Sequence, residues 1–267
     1  MMRWGVIALL IVGGAYLLGV TALAVGQRWF IYRPPASAKG YFPAGFDRIT
    51  LRTSDGLDLV AAYRPAAAGR PTLVYFHGNG DSLEGANRAS ALLRQRGYGL
   101  LLVEYRGYAD NPGKPGEQGL YRDGRAALDW LAGKGIASSG VILIGYSLGS
   151  GIASQLASER EVGGLALISP FSRLADAASH HFPYVPVRWL LRDRYDTIDK
   201  LRGRRLRVLV LHGDSDRVIP WTEGRDVAGV IPGAQFEIVH GAGHELAFLP
   251  ATQDRIVRWL ARLQPGG

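Results

Sequence analysis

The chain has 267 residues, of which 47% are apolar and 20% charged, with 36 glycines and no cysteine. That length fits one large domain or two small ones. The composition excludes a disordered chain, a collagen-like repeat, a disulfide scaffold, a cysteine–zinc site and a cysteine nucleophile. The formal net charge of +8, carried almost wholly by arginine, raises nucleic acids and anionic membranes as partners. No recognition-helix, zinc-finger or RNP-type aromatic pattern accompanies it, so no nucleic-acid partner is expected.

Trp4 to Gly26 contains no charged residue, and as a helix these 23 positions extend about 35 Å, enough to cross a hydrocarbon core of about 30 Å. Arg3 precedes the run, and Gln27, Arg28, Trp29, Tyr32 and Arg33 follow it as an aromatic and basic collar. A transmembrane anchor over 1–27 and a single-pass membrane location are therefore expected. The alternative is a cleaved signal peptide, for which Ala22-Leu23-Ala24 supplies an A-x-A site, although the apolar run exceeds the usual signal core. Positive charge is nearly balanced across the run, so the side on which the rest of the chain lies stays open. Residues 28–43, with Pro34-Pro35 and a small-residue stretch to Gly40, read as a linker.

From residue 44 onward strand and helix signals alternate. Phe46–Arg52 and Leu57–Tyr63, split by Ser54-Asp55-Gly56, predict a hairpin. Further strands are predicted at Pro71–His77, Tyr98–Glu104, Val141–Ile144, Leu165–Ile168, Leu206–Leu211 and Gln235–Val239. Helices are predicted at Glu84–Arg96, Glu117–Leu131, from the residues after Ile144 to about Ser158, and at Glu245–Leu263. The alternation predicts an α/β fold with a mostly parallel eight-stranded sheet flanked by helices. About 35 residues, Phe171–Arg205, interrupt the rhythm and are expected to form a small cap.

Gly145-Tyr146-Ser147-Leu148-Gly149 is a G-x-S-x-G pentapeptide between a predicted strand and a predicted helix. In a glycine-rich chain the pentapeptide alone is weak, and the plain alternative is an ordinary βα turn. Its flanks match a nucleophile elbow, a sharp turn in which small residues relieve crowding and the serine Oγ is thrust out at the carboxyl end of the sheet. A hydroxyl needs a base within hydrogen-bond reach, and the base needs an orienting group. His244 in Gly241-Ala242-Gly243-His244 follows the last strand and is the favoured base; His240 is its rival. His77 and His212 each precede a glycine at a strand end and read as turn residues holding backbone, and His180 and His181 fall in the insertion. The acid lies in His212-Gly213-Asp214-Ser215-Asp216, where either aspartate could serve or simply close a turn. For the oxyanion, the N–H of Leu148 at the start of the elbow helix and the N–H of Asn79 in His77-Gly78-Asn79-Gly80-Asp81 are the expected donors. No metal-ligand spacing and no phosphate loop are present, so neither a metal nor a cofactor is expected.

These segments together resemble the α/β-hydrolase superfamily and, within it, the Bem46-like group of membrane-anchored serine hydrolases. The resemblance rests on His77-Gly78-Asn79-Gly80, Glu104-Tyr105-Arg106-Gly107-Tyr108, the Ser147 pentapeptide, Ser169-Pro170-Phe171, His212–Asp216 and Gly241–His244, and it covers nearly everything after the anchor. It implies a triad of Ser147, Asp216 and His244, choosing Asp216 over Asp214, in the chain order of that superfamily. Three departures stand out: Glu104-Tyr105 where Asp-Tyr is commoner, a longer Pro-containing loop at Ala109–Gly113, and Asp81 where Asn is often found.

The implied activity is hydrolysis of carboxylic esters or thioesters through an acyl-enzyme, on a small-molecule or lipid-like acyl substrate, with a membrane as the other partner. A serine peptidase of the same fold and a non-catalytic anchored interaction protein are the alternatives. The apolar residues Phe182, Tyr184, Val185, Val187, Trp189, Leu190 and Leu191 would face the site from the cap. The eight basic side chains of Arg188–Arg207 would form either a solvated face or a surface toward anionic lipid.

Overall fold

A computed structural model describes residues 2–263; Met1 of the expected anchor and residues 264–267 of the expected domain lie outside them. Helix α1 (Met2–Ile31) is apolar on every side between Trp4 and Gly26 and stands largely exposed there. A helix without a polar face has no preferred orientation in water, which makes it a candidate membrane anchor.

The sheet has eight strands: β1 (Asp47–Arg52), β2 (Asp58–Arg64), β3 (Thr72–Phe76), β4 (Gly99–Val103), β5 (Val141–Tyr146), β6 (Gly164–Ile168), β7 (Val208–Gly213) and β8 (Gln235–Val239). Their order is β1-β2-β4-β3-β5-β6-β7-β8, with the first hairpin antiparallel and every pair from β4 to β8 parallel. The central strands β3, β4, β5, β6 and β7 are buried at every residue, because helices cover both faces, and this is why they read as unbroken apolar runs. On one face lie α2 (Leu83–Ala89), α3 (Ala91–Gln95) and α10 (Pro250–Leu263), packed through Leu93, Ile256 and Trp259. On the other lie α4 (Glu117–Gly133), α5 (Leu148–Glu159) and α9 (Trp221–Gly229), packed through Leu128, Ile152 and Val227.

Several expected boundaries are corrected. The single helix at Glu84–Arg96 is two, broken at Ser90, whose hydroxyl donates to the Ala86 carbonyl at 2.6 Å and whose φ/ψ leaves the helical region. The closing helix at Glu245–Leu263 is likewise two pieces. A 3₁₀ turn at His244–Phe248 ends before Leu249, which Pro250 holds extended, and α10 starts on the proline.

Residues 28–43 are not a free linker. Tyr32 is buried, its hydroxyl donates to Asp193 at 3.0 Å, the Arg33 N–H donates to the Asn79 side chain at 2.9 Å, and Gly40 N–H donates to Asp110 at 2.9 Å. The segment is short and each of these groups finds a partner on the domain, so it is held there.

The insertion is divided. Helices α6 (Leu174–His181) and α7 (Val187–Leu190) form a flap over the carboxyl ends of the strands. Helix α8 (Thr197–Leu201) instead buries Ile198 and Leu201 in the main core beside α5. The cap is therefore smaller than 171–205. Arg204 and Arg205 lie with Arg70 and Gly163 at the amino ends of the strands, the opposite end from Ser147. Arg204 and Arg205 therefore do not contribute to a basic face beside the site.

Candidate active site

Ser147 sits at the tip of β5 with φ +50° and ψ −115°, a left-handed conformation that a serine rarely adopts. The flanking glycines make it possible. A Cβ on Gly149 would lie 2.0 Å from the Phe76 carbonyl oxygen, and one on Gly145 would lie 2.5 Å from the Gly149 carbonyl oxygen. Both obstacles are backbone, which cannot swing away, so the elbow can be this tight only with glycine at both positions. A Cβ on Gly151 would meet the Tyr195 ring at 2.8 Å, which lets the helix lie close to its neighbour. The strand and the turn expected around the pentapeptide are thus present, and the plain βα-turn reading lacks the strain seen here.

His244 begins the 3₁₀ turn after β8 and brings its ring to Ser147. The Ser147 Oγ–H donates to Nε2 at 3.0 Å, while Nδ1–H donates to Asp216 Oδ2 at 2.8 Å. The tautomer follows from Asp216, whose ionised carboxylate can only accept. The Asp216 Oδ1 accepts the backbone N–H groups of Val218 and Ile219 at 2.8 and 2.9 Å. Its Oδ2 also accepts from the Ser169 hydroxyl at 3.0 Å and faces His212 Nε2 at 3.3 Å. Burial alone would raise the Asp216 pKa, but hydrogen bonds from His212, His244 and the Ile219 N–H outweigh it and hold the carboxyl well below the usual range.

The rival pair is accounted for. Asp214 accepts from His240 Nδ1 at 2.9 Å and from Gly241 N–H at 2.7 Å, so the two alternatives bond to each other on the surface. There they tie the loop after β7 to the loop after β8, the two loops that carry Asp216 and His244. His212 holds backbone as expected, through the Ile219 carbonyl at 2.9 Å, and additionally faces Asp216. His181 bonds the Val218 carbonyl at 2.8 Å, and His180 approaches Glu223 at 3.5 Å.

The loop carrying Asn79 runs directly past the elbow: a Cβ on Gly78 would lie 3.0 Å from the Tyr146 ring and 3.5 Å from the Ser147 Cβ. Asn79 Oδ1 is held by the Tyr108 hydroxyl at 2.8 Å and by Arg33 N–H. Leu148, the first residue of α5, lines the same pocket as Asn79. Beneath the loop lies a buried pair that went unassigned from sequence. His77 Nε2 donates to Glu104 Oε1 at 2.9 Å, His77 Nδ1 donates to the Gly78 carbonyl at 2.8 Å, and Glu104 Oε2 accepts the Leu83 N–H at 3.0 Å. Desolvation pulls the His77 pKa down, yet the Glu104 carboxylate beside it prevails and raises it. The unusual Glu at 104 is the signal: its length lets one carboxylate reach both the histidine and the start of α2. Asp81 accepts the Ser82 N–H at 2.8 Å, and burial raises its pKa.

A cavity of about 630 Å³ opens above Ser147 and His244. That size suits a small-molecule ligand. Its walls are largely apolar, with Phe171, Leu174, Phe182, Val185 and Leu190 from the cap side. Sequence reasoning missed the part of the wall that α1 supplies, and it missed Ser169, quoted only as part of a motif although its hydroxyl holds Asp216.

Comparison with known proteins agrees with this architecture. The family described as serine aminopeptidase, S33, matches residues 67–199. An uncharacterized protein of Mycobacterium tuberculosis is 37% identical over 233 residues, covering 84% of this chain and 83% of that protein. The lysophosphatidylserine lipase ABHD12 of Rattus norvegicus is 28% identical over 199 residues, 67% of this chain and 50% of that protein. Among solved structures, the Pyrococcus furiosus esterase Pf2001 superposes with a TM-score of 0.71 at 18% identity, over 88% of this chain and 98% of that chain. Sheet order, elbow and relatives agree: the chain belongs to the α/β-hydrolase superfamily and is a hydrolase of the serine type.

Proposed function

We propose that the protein cleaves carboxylic esters or thioesters of lipid-like acyl groups through an acyl-enzyme on Ser147, while anchored in a membrane by α1, as the Bem46-like resemblance implies. The observation that carries this reading is the Ser147–His244 hydrogen bond of 3.0 Å at the base of a mainly apolar cavity. As Ser147 Oγ attacks the acyl carbonyl carbon, His244 Nε2 takes its proton. The imidazolium so formed is stabilised by Asp216, which is already ionised. The oxyanion is held by the N–H groups of Leu148 and Asn79, the former aided by the positive end of α5. Collapse breaks the bond to the leaving group, which takes the proton from His244. Water then adds to the acyl-enzyme by the same proton route and releases the acid.

A mainly apolar lining favours an acyl chain; Asp81, Arg88 and Glu245 also line the cavity and are the groups that would meet the charged terminus of an amino-acid substrate. The ester and lipase names of the relatives support the same class. The test is a panel of p-nitrophenyl esters of increasing chain length against aminoacyl p-nitroanilides, with Ser147→Ala as the blank. Ester turnover that vanishes in Ser147→Ala is expected. Turnover of the anilides in preference to esters would replace this reading with the peptidase one.

A further inference from the structure

Helix α1 does more than emerge from the domain. Leu23, Ala24, Gln27, Phe30 and Ile31 line the cavity above Ser147. Their spacing places them on one stripe of the helix. The stripe continues upward to Tyr16, whose hydroxyl donates to the Tyr184 carbonyl of the cap at 2.6 Å. Tyr16 stands 15 residues from Ile31, about 22 Å of helix. The cap loop therefore runs beside the charge-free part of α1 rather than below it. Tyr184 in that loop and Trp189 in α7 are 86% and 90% exposed.

The helix is fastened where it passes the cavity. Gln27 is buried; its Nε2 donates to the Leu190 carbonyl at 3.1 Å and its Oε1 accepts Arg192 N–H at 2.7 Å. Arg28 makes a two-pronged contact with Asp193 at 3.0 and 3.2 Å. One turn on, the Tyr32 hydroxyl donates to the same carboxylate and lies 2.9 Å from the Tyr195 hydroxyl. These are directional contacts to the segment joining the cap to the core, and they fix the rotation of α1 about its own axis.

We propose that α1 is a wall of the acyl pocket and that Leu23 and Ala24 set the length of acyl chain the site accepts. The occupant is the chain of an ester whose carbonyl rests at Ser147, lying between α1 and the cap and entering from the bilayer that surrounds both. This rests on the serine-hydrolase reading above and adds a specificity role for the helix. A helix serving only as an anchor would need neither a fixed rotation nor a stripe inside the cavity.

The test uses the full chain in lipid nanodiscs with p-nitrophenyl butyrate and p-nitrophenyl palmitate as probes. Ala24→Trp fills the wall and is expected to lower the palmitate-to-butyrate ratio of kcat/KM about tenfold or more, since each misfitted methylene in such a pocket is felt. Leu23→Ala enlarges it and is expected to raise the ratio. Val25→Trp, on an exposed face of the same helix (73% exposed), is expected to leave the ratio unchanged. Fluorophosphonate labelling of each variant reports whether the site is assembled. Labelled Ala24→Trp with the wild-type ratio would overturn the proposal, as would equal effects of Ala24→Trp and Val25→Trp. Where Ala24→Trp is not labelled because it misfolds, an unchanged ratio in Leu23→Ala overturns it instead. Absence of labelling in the wild type is a different result and counts against the serine-hydrolase reading itself.

Discussion

Asp216→Asn is expected to lower kcat for ester hydrolysis by about 10⁴, the scale set by a triad acid that can no longer hold the base in its working tautomer. The reason is local. Oδ2 receives the Ser169 hydroxyl and His244 Nδ1–H, with His212 Nε2 at 3.3 Å, and Oδ1 receives two backbone N–H groups. An asparagine must place its NH₂ at one of these oxygens, and both already face donors. Put toward His244, it forces the imidazole to accept on Nδ1 and carry its proton on Nε2, where it cannot take the proton of Ser147. Put toward Val218 and Ile219, it loses two hydrogen bonds and loosens the loop. Steady-state kinetics and thermal unfolding of the variant together separate the two. Because the folded carboxyl titrates below its unfolded value, its stabilisation is present above about pH 4 and is lost as the pH falls through the folded value. The stability gap between wild type and variant should therefore close in acid, and a gap that widened there would contradict the assignment.

The second large effect is expected at Glu104. Its pair with His77 is buried, with exposures of 2% and 0%, so removing the carboxylate in Glu104→Gln leaves a buried imidazolium without its counter-charge. Breaking one partner of such a pair costs about 3–5 kcal/mol. The amide must also present a donor either to His77 or to the Leu83 N–H, both of which donate. The loop above carries Asn79, so kcat should fall as well, toward the roughly 10²-fold typical of losing one oxyanion donor. The pH dependence has a definite sign. His77 is raised by its partner, so the stabilisation is complete below its unfolded value of about 6.5 and disappears as the pH rises through the folded value. Urea unfolding at two pH values on either side of this range should show the larger loss in the Gln variant at the lower one.

Much of this site is readable from local sequence because its parts are strand ends. A parallel strand buried on both faces must be apolar throughout, and the loops that follow such strands carry the polar residues. Ser147, Asp216 and His244 are each placed by that rule, and the structure brings them together within hydrogen-bond distance. Choosing between Asp214 and Asp216, or His240 and His244, is not local: one pair faces solvent and the other the elbow, a difference set by loop curvature rather than residue type. The break at Ser90 was hidden because its apolar period continues across it, while a side-chain hydrogen bond to Ala86 decides the geometry. The role of α1 was hidden for a different reason. A helix apolar on all sides shows no periodic stripe, so nothing in its pattern says which face will meet Leu190 and Asp193, more than 160 residues away. Gln27 and Arg28 end the apolar run, and they are the residues of the helix that dock on the segment from Leu190 to Asp193.

The central claim is that Ser147 is an activated nucleophile. The direct measurement is the rate of fluorophosphonate labelling of the full-length protein in membranes, beside Ser147→Ala. Labelling of the wild type that is absent from the alanine variant is the predicted result. A folded wild type that resists the reagent, or an alanine variant labelled as fast as the wild type, would contradict it.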